Sequence, residues 1–298
     1  REEKAAEIYQ EVLARDAGHV QTLVKLAWRS YRAADFRTAD GLIARALARN
    51  PFDPMTHYAA GVIYRAAGRW TLAADAFWAA VHYGGPAAPA LAELGELALR
   101  ERNYDEAARL LRRALRHNPD DALVLTSLAV ALRRGGKTRE ALDTVNQALE
   151  KMPLLPQALA ERWRINAARA AATAAAKPAA WAKSLAPGAP TYLDVAVWYR
   201  RLNDLASSDA VLQSAIKELP APSVSPLVYY YLASNARREK KRGEAGAYAA
   251  KAAAASIHKT FPHRTEDTLV LLEALLENPL DAQAYYLANP VHAGLSFF

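Results

Sequence analysis

The sequence contains no cysteine among its 298 residues, so disulfides, thiolate metal ligands and cysteine nucleophiles are excluded together. No uninterrupted apolar run approaches the roughly 20 residues that a membrane-crossing helix requires, and no basic-then-apolar start marks a signal peptide. Glycine and proline are few, at 13 and 16 residues. Alanine, leucine and arginine are abundant instead, and these are strong helix formers. We therefore expect a soluble, mostly helical chain without a membrane partner.

The charge of the chain is positive, with a net value of +7 and a pI near 9.5, which favours acidic partners through a general electrostatic field. The chain begins at Arg1, and residues 1–14 resemble the second half of a helix pair whose first half is missing. We therefore expect a piece of a larger protein. A targeting segment upstream of Arg1 would not be visible, so the compartment stays open, with the cytoplasm as the preferred assignment.

An internal repeat of 34 residues organises the first half of the chain. After a half-repeat at 1–19, it forms four gapless blocks: 20–53, 54–87, 88–121 and 122–155. Alanine or glycine occupies position eight of every block and alanine occupies position twenty, and such small side chains let two helices approach closely. These residues are Ala27, Gly61, Gly95 and Ala129 at position eight, and Ala39, Ala73, Ala107 and Ala141 at position twenty.

This pattern resembles the tetratricopeptide repeat family, and the segment NYDEAARLLRRALRHNPDD (residues 103–121) is a close match to its repeat. The resemblance implies an all-α, right-handed α-solenoid of helix pairs whose first helices line a concave surface and bind a protein or peptide. Each pair is amphipathic and buries its apolar side only by stacking on its neighbours. We therefore expect residues 1–155 to form a regular array.

Residues 156–298 continue the pattern less regularly, as a degenerate array. Blocks 156–188, 189–222 and 226–259 precede a helical remainder at 265–298, and we expect a stunted second helix around Trp181. The segments PTYLDVAVWYRRLNDLASSDAVL and PLVYYYLASNAR resemble the repeat array that follows a β-rich, carbohydrate-active-like domain of unknown function in large bacterial proteins. That resemblance implies a missing N-terminal domain in cis, to which any catalysis would belong.

No constellation of residues in the sequence predicts an active site. The seven histidines are scattered and none stands in an HExxH-type pattern; His258 and His263, in the irregular segment IHKTFPHR, are the one suspected metal site. The segment RRGGKTRE (residues 133–140) lies between helices and lacks the strand that precedes a phosphate-binding loop. We therefore predict that the chain by itself is not an enzyme and carries no cofactor or metal.

A set of aromatic and aliphatic residues on the first helices is the best candidate for a binding surface. By the family's geometry these side chains lie exposed on the concave face, and an exposed apolar surface of this kind is a binding site by default. An alternative for Trp28 is that it packs against the preceding half-repeat. We call this set the first-helix surface; it comprises Val24, Trp28, Tyr31, Tyr58, Val62 and Val130.

Arginines recur at positions twelve and thirteen, near the end of the first helix of nearly every block. One interpretation is that cations stabilise helix C-termini by about 0.3–1 kcal/mol each. The other is a basic edge that holds an acidic peptide or an anionic polymer through bidentate contacts. We call this set the arginine row; it comprises Arg32, Arg65, Arg100, Arg133, Arg134, Arg200, Arg201, Arg237 and Arg238.

Three functions are compatible with these features. The favoured one is a scaffold module that binds a protein or peptide partner, acidic by charge, through the groove. A second is an accessory or dimerisation part of a multidomain carbohydrate-active enzyme, which would use Trp28, Tyr31 or Tyr58 and would allow a homo-oligomer. The third and weaker one is single-stranded RNA binding along the arginine row.

Overall fold

The computed structural model describes residues 2–33, 35–171, 181–182, 185, 188–255, 262 and 264–288. Within these ranges all regular structure is helical, which confirms the predicted all-α class. The helices are α1 (Glu2–Arg15), α2 (Val20–Arg32), α3 (Phe36–Arg49), α4 (Pro54–Ala66), α5 (Trp70–His82), α6 (Ala87–Arg100), α7 (Tyr104–His117), α8 (Ala122–Arg134), α9 (Thr138–Lys151), α10 (Pro156–Ala171), α11 (Ala189–Arg201), α12 (Leu205–Glu218), α13 (Pro226–Arg238), α14 (Arg242–Ala254), α15 (Thr265–Glu277) and α16 (Ala282–Ala288), with a 3₁₀ turn at Ala221–Ser223.

Consecutive helices pack against each other in pairs, which is the arrangement of an α-solenoid. The closest partners are α2 with α3, α4 with α5, α8 with α9, α11 with α12, and α13 with α14. Of the block 156–188 the structure describes one helix, α10; the stunted helix predicted around Trp181 falls almost entirely outside the described residues, as does the tail beyond Ala288. The division of the sequence at residue 155 into a regular and a degenerate array stays a prediction.

The beginnings and ends of the helices follow from local chemistry. Asp35, Asp53, Asp121 and Asp204 each precede a helix and accept a hydrogen bond from a backbone N–H of its first turn, which satisfies an otherwise orphaned donor. After the first helix of a pair, the chain turns through a residue of positive φ at position fifteen of the block. This position is occupied by Gly68, Arg102, Gly136, Asn203 and Lys240.

The small residues at positions eight and twenty lie where the two helices of a pair meet. Ala27, Ala39, Ala73 and Ala129 are fully buried. Gly61 shows how tight the contact is, because a Cβ atom placed on it would lie 2.6 Å from the ring of Phe77 in the second helix of its pair. The small side chain is therefore a steric requirement of the pair.

The helices divide into two compact units. Unit 1 consists of the described residues up to 97 together with 109–119, and its core includes Leu23, Ile43, Ile63 and Phe77. Unit 2 consists of residues 98–108 and the described residues from 120 onward. Its largest fully buried side chains are unusual, because four of them are tyrosines: Tyr192, Tyr199, Tyr230 and Tyr231.

The contact at Gly61 generates a prediction about stability. Gly61→Ala is expected to destabilise the protein by about 1–3 kcal/mol, since the added methyl group must displace Phe77. Gly41→Ala is the matched control: it lies in α3 of the same unit, nothing lies within 4 Å of its added Cβ, and alanine is the better helix former by about 1 kcal/mol. Thermal unfolding followed by circular dichroism checks both variants. A fall in Tm for Gly41→Ala, or a rise for Gly61→Ala, would contradict this account.

Candidate binding surface and the polar interior

In unit 1 the first-helix surface is centred on Trp28 and Tyr31 of α2. Their rings meet edge to face with centroids 5.5 Å apart, and Tyr31 meets Phe36 at 6.2 Å. Both side chains are half-buried, and they pack on a cluster of buried residues that includes Ala27 and Ile43. The aromatic rings are thus anchored on the core at one side and accessible at the other.

The neighbouring helix α4 continues this surface. Tyr58 is half-buried, and its ring lies 5.7 Å from that of Phe77. Val62 is buried, with 8% of its surface exposed, so it lies beneath the surface rather than on it. Arg65 forms an ion pair with Glu93 of α6 (Nε to Oε2, 3.1 Å), and both side chains are largely buried. Arg65 therefore has a partner inside unit 1.

Two further predicted residues differ in exposure. Arg32 is exposed at the end of α2. Val130, which the pattern predicted to be exposed, is fully buried in unit 2. The reason is that α8, which carries it, is covered by α10 as well as by its own partner α9.

In unit 2, Arg133 of the arginine row is the centre of a network of ion pairs. Its guanidinium donates to both carboxylate oxygens of Glu161 (Nε to Oε1, 2.7 Å; Nη2 to Oε2, 3.3 Å) and to Asp204 (Nη2 to Oδ2, 2.6 Å). The hydroxyl of Tyr199 donates to Glu161 at 2.7 Å. Glu161 is completely buried, so this network joins α8, α10 and α11 through the interior.

The protonation of the network follows from burial and charge. Burial lowers the pKa of Arg133, but Glu161 and Asp204 outweigh it and raise that pKa above its usual value. For Asp204, burial acts to raise the pKa, and the charge of Arg133 overrides this, so the pKa is lowered. Burial raises the pKa of the Tyr199 phenol well above its usual value. All three groups therefore keep their ordinary charge states at neutral pH.

Arg134 and Arg100, on either side of Arg133 in the arginine row, also make contacts within unit 2. Arg134 donates from Nη1 to the carbonyl of Leu202 (3.2 Å) and its guanidinium carbon lies 4.9 Å from the ring centroid of Tyr104. The half-buried Arg100 accepts a hydrogen bond at its carbonyl from Asn203 Nδ2 (3.1 Å). Turns separated by about a hundred residues of sequence are thus joined directly.

Arg200 lies in the core of unit 2, with 7% of its surface exposed. It donates to the side chain of Asn235, to Ser234 Oγ (3.0 Å) and to the carbonyl of Tyr231 (3.4 Å), and it stacks over the Tyr231 ring. Burial, followed by the like charge of Arg238, lowers the pKa of Arg200 to about 10. The adjacent Arg201 is half-buried.

Sequence reasoning named the arginines of this network and missed their partners. Glu161 and Asp204 lie 28 and 71 residues from Arg133 in the sequence, beyond the reach of any helical spacing. The one available signal was Glu161 itself, an acidic residue inside the apolar stretch ALAERW of α10.

Within the described ranges, no group of three or more His, Cys, Asp or Glu side chains could hold a metal ion, and no helix is both long and apolar enough to cross a membrane. The suspected metal ligands His258 and His263 lie outside the described residues. Of the remaining histidines, His19 caps α2 and His57 lies 2.8 Å from the carbonyl of Pro51.

Stacked helix pairs define the class of α-solenoids. In this chain the pairs also carry an accessible aromatic face. Residues 24–91 and 93–158 match the family described as tetratricopeptide repeat, whereas no curated protein sequence matches the chain. These two segments are therefore similar to tetratricopeptide repeats. The described residues have the helical-repeat fold of a scaffold.

Solved structures are similar to a larger part of the chain. The C-terminal part of a tetratricopeptide repeat-containing protein from Cytophaga hutchinsonii is 16% identical, with a TM-score of 0.51, over 96% of this chain and 94% of that one. PilF of Pseudomonas aeruginosa is 14% identical over 80% of this chain and 91% of its own (TM-score 0.47). YrrB, described as having an unusual peptide-binding site, is 16% identical over 70% and 91% (TM-score 0.46). At these identities the Cytophaga structure supports the fold alone.

The ion network leads to a prediction about Arg133. Arg133→Met keeps most of the aliphatic stem but leaves Glu161 and Asp204 without their cation, and breaking a buried pair in this way is expected to cost about 3–5 kcal/mol. Lys137→Met is the control, because the Lys137–Asp105 pair of the same unit is exposed and its loss should be much smaller. Urea unfolding of the two variants measures the difference; equal losses would show that the network contributes no more than a surface pair.

The lowered pKa of Asp204 leads to a prediction about acid stability. A carboxyl with a lowered folded-state pKa contributes stability above its unfolded pKa of about 4, and this contribution disappears as the pH falls through the folded-state value. The Tm of the wild-type protein should therefore decrease when the pH is lowered below about 4. Asp204→Asn should have a lower Tm at neutral pH and lose less of it on acidification. Parallel Tm–pH curves for the two proteins would refute the assignment.

Proposed function

We propose that the chain is a scaffold module of a larger protein that binds a protein or peptide segment on the unit 1 part of the first-helix surface. The observation that carries the proposal is the half-buried aromatic set Trp28, Tyr31 and Tyr58 on α2 and α4. Rings that are held by the core on one side and accessible on the other lose little conformational freedom on binding, and such residues dominate the affinity of protein interfaces.

Charge favours an acidic ligand. Arg32 is exposed one residue beyond Tyr31, and the chain as a whole carries a net charge of +7. A planar guanidinium can hold a carboxylate through two parallel hydrogen bonds. A peptide with an apolar anchor for the rings and a nearby Asp or Glu for Arg32 matches both features, with Val62 forming the floor and Arg65 held at the edge by Glu93.

The arginines of the arginine row that lie in unit 2 are not part of the proposed peptide surface. Arg133 and Arg200 each donate to several internal partners, so we assign them to holding the repeats of unit 2 together. Arg134 donates from Nη1 to the carbonyl of Leu202 and has further N–H groups that a ligand could use. The same internal partners weaken the alternative of RNA binding along the arginine row, because each contact to a phosphate backbone would compete with a contact inside the protein.

A peptide-binding experiment tests the proposal. Peptides selected from a displayed random library on the wild-type chain are expected to lose at least tenfold in affinity on Trp28→Ala, since a central aromatic anchor contributes about 2 kcal/mol or more. Trp78→Ala is the control: Trp78 is also partly exposed in unit 1 but belongs to α5, a second helix. Fluorescence anisotropy with the labelled peptide gives both dissociation constants.

Three results would count against the proposed surface. The first is a selected peptide that binds Trp28→Ala as tightly as the wild type. The second is a peptide that loses affinity only on Trp78→Ala. The third is a selected set without acidic residues whose affinity is unchanged by Arg32→Gln, which would refute the preference for acidic ligands.

A further inference from the structure

Four turns of unit 2, each joining a first helix to a second helix, converge around one cavity. They are the turns α6–α7, α8–α9, α11–α12 and α13–α14. The hydrogen bond from Asn203 to the carbonyl of Arg100 and that from Arg134 to the carbonyl of Leu202 tie three of them together. The cavity is partly open to solvent, and its volume of about 610 Å³ is within the range of small-molecule sites. We call this cavity the turn pocket.

Such convergence is not expected of a regular solenoid, in which each repeat contacts only its neighbours. Here the block 88–121 contributes a turn to the same cavity as the blocks 189–222 and 226–259. The helix α10 packs against α8, α9 and α11, and the buried Glu161 that it carries is bound by Arg133 of α8 and Tyr199 of α11. The turns are therefore held in place from the interior of unit 2.

The charged residues that line the turn pocket are mostly basic: Arg102, Arg134, Arg238 and Lys241 against Asp204 and Glu239. Both acidic groups are already paired. Asp204 accepts from Arg133 at 2.6 Å and Glu239 accepts from Lys241 Nζ at 2.7 Å. Arg133 is shared between Asp204 and Glu161, so the charges of the lining are best counted together. Four basic and two acidic residues give the turn pocket a net charge of +2.

Two further guanidinium groups of unit 2, those of Arg100 and Arg200, interact electrostatically with the pocket residue Arg238. Burial, followed by the like charge of Arg238, lowers the pKa of both Arg100 and Arg200. The hydrogen bonds of the Arg200 guanidinium go to the neutral groups of Ser234, Asn235 and Tyr231, and the carboxylates of Glu273 and Asp209 offset part of its charge. Arg238 therefore experiences repulsion from two further guanidinium groups, and an anion in the pocket would reduce that repulsion.

We propose that the turn pocket binds a phosphate monoester dianion between Arg102, Arg134 and Arg238. Guanidinium groups match phosphate oxygens in geometry through paired N–H donors, and three of them suit a dianion better than a single carboxylate. The cavity is larger than the phosphate group alone needs, which leaves room for the organic part of the ester. The site lies wholly within unit 2 and does not depend on the peptide surface proposed for unit 1.

Titration of the full chain with phosphoserine, followed by ³¹P line width and chemical shift, tests the proposal. Saturable binding at millimolar concentration is expected, with at least a tenfold loss of affinity in Arg238→Gln. Arg162→Gln, which removes an exposed arginine of α10 that does not line the pocket, should bind like the wild type. Circular dichroism establishes that the variants are folded, and Arg238→Gln should not lower Tm, because it relieves repulsion with Arg100 and Arg200.

Further probes separate the sources of the phosphate group and the alternatives to it. Weaker binding of inorganic phosphate than of phosphoserine would support a monoester ligand, and equal binding would support the phosphate group supplied as the free ion. Glutamate at matched ionic strength should bind much more weakly. The proposal is overturned if glutamate binds as tightly as phosphoserine, if no probe saturates, or if Arg162→Gln loses as much affinity as Arg238→Gln.

Discussion

The close approach of two helices at a pair of small residues is the constraint on which the whole architecture depends. Gly61 leaves no room for a methyl group against Phe77, and alanines at position twenty are fully buried in block after block. Contact within a pair buries only part of the apolar surface of its two helices. Every pair therefore needs a neighbouring pair to cover the rest. The repeating stack, its first-helix face and its turns all follow from that requirement.

Unit 2 meets the same requirement with different chemistry. Its interior contains tyrosines whose hydroxyl groups donate to buried carboxylates, as Tyr199 does to Glu161 and Tyr231 does to Asp267 (2.7 Å each). Buried ion pairs add little stability compared with well-packed apolar groups, since desolvation offsets most of their attraction. Their directionality instead restricts which helices fit together. In a repeat array with many similar helices, such restriction disfavours packing in the wrong register.

The parts of this structure that the sequence could predict are those encoded locally. The spacing of Ala27, Gly61 and Ala129 predicts the pairs, and aspartates before the helices predict where they begin. The exposure of individual side chains was harder to predict, because Val130 is covered by a helix of another block. The partners of Arg133 were out of reach, because Glu161 and Asp204 come from other helices, and no periodic pattern connects residues that meet only through tertiary packing.

The turns between paired helices carry a final consequence. At position fifteen the backbone adopts a left-handed conformation, and glycine meets that need without strain at Gly68 and Gly136. Arg102, Asn203 and Lys240 occupy the same conformation although their side chains disfavour it. Asn203 uses its side chain to reach Arg100, and Arg102 lines the turn pocket. At these turns, position fifteen therefore supplies a side chain that glycine cannot, and at Arg102 and Asn203 that side chain lines the turn pocket or joins one turn to another.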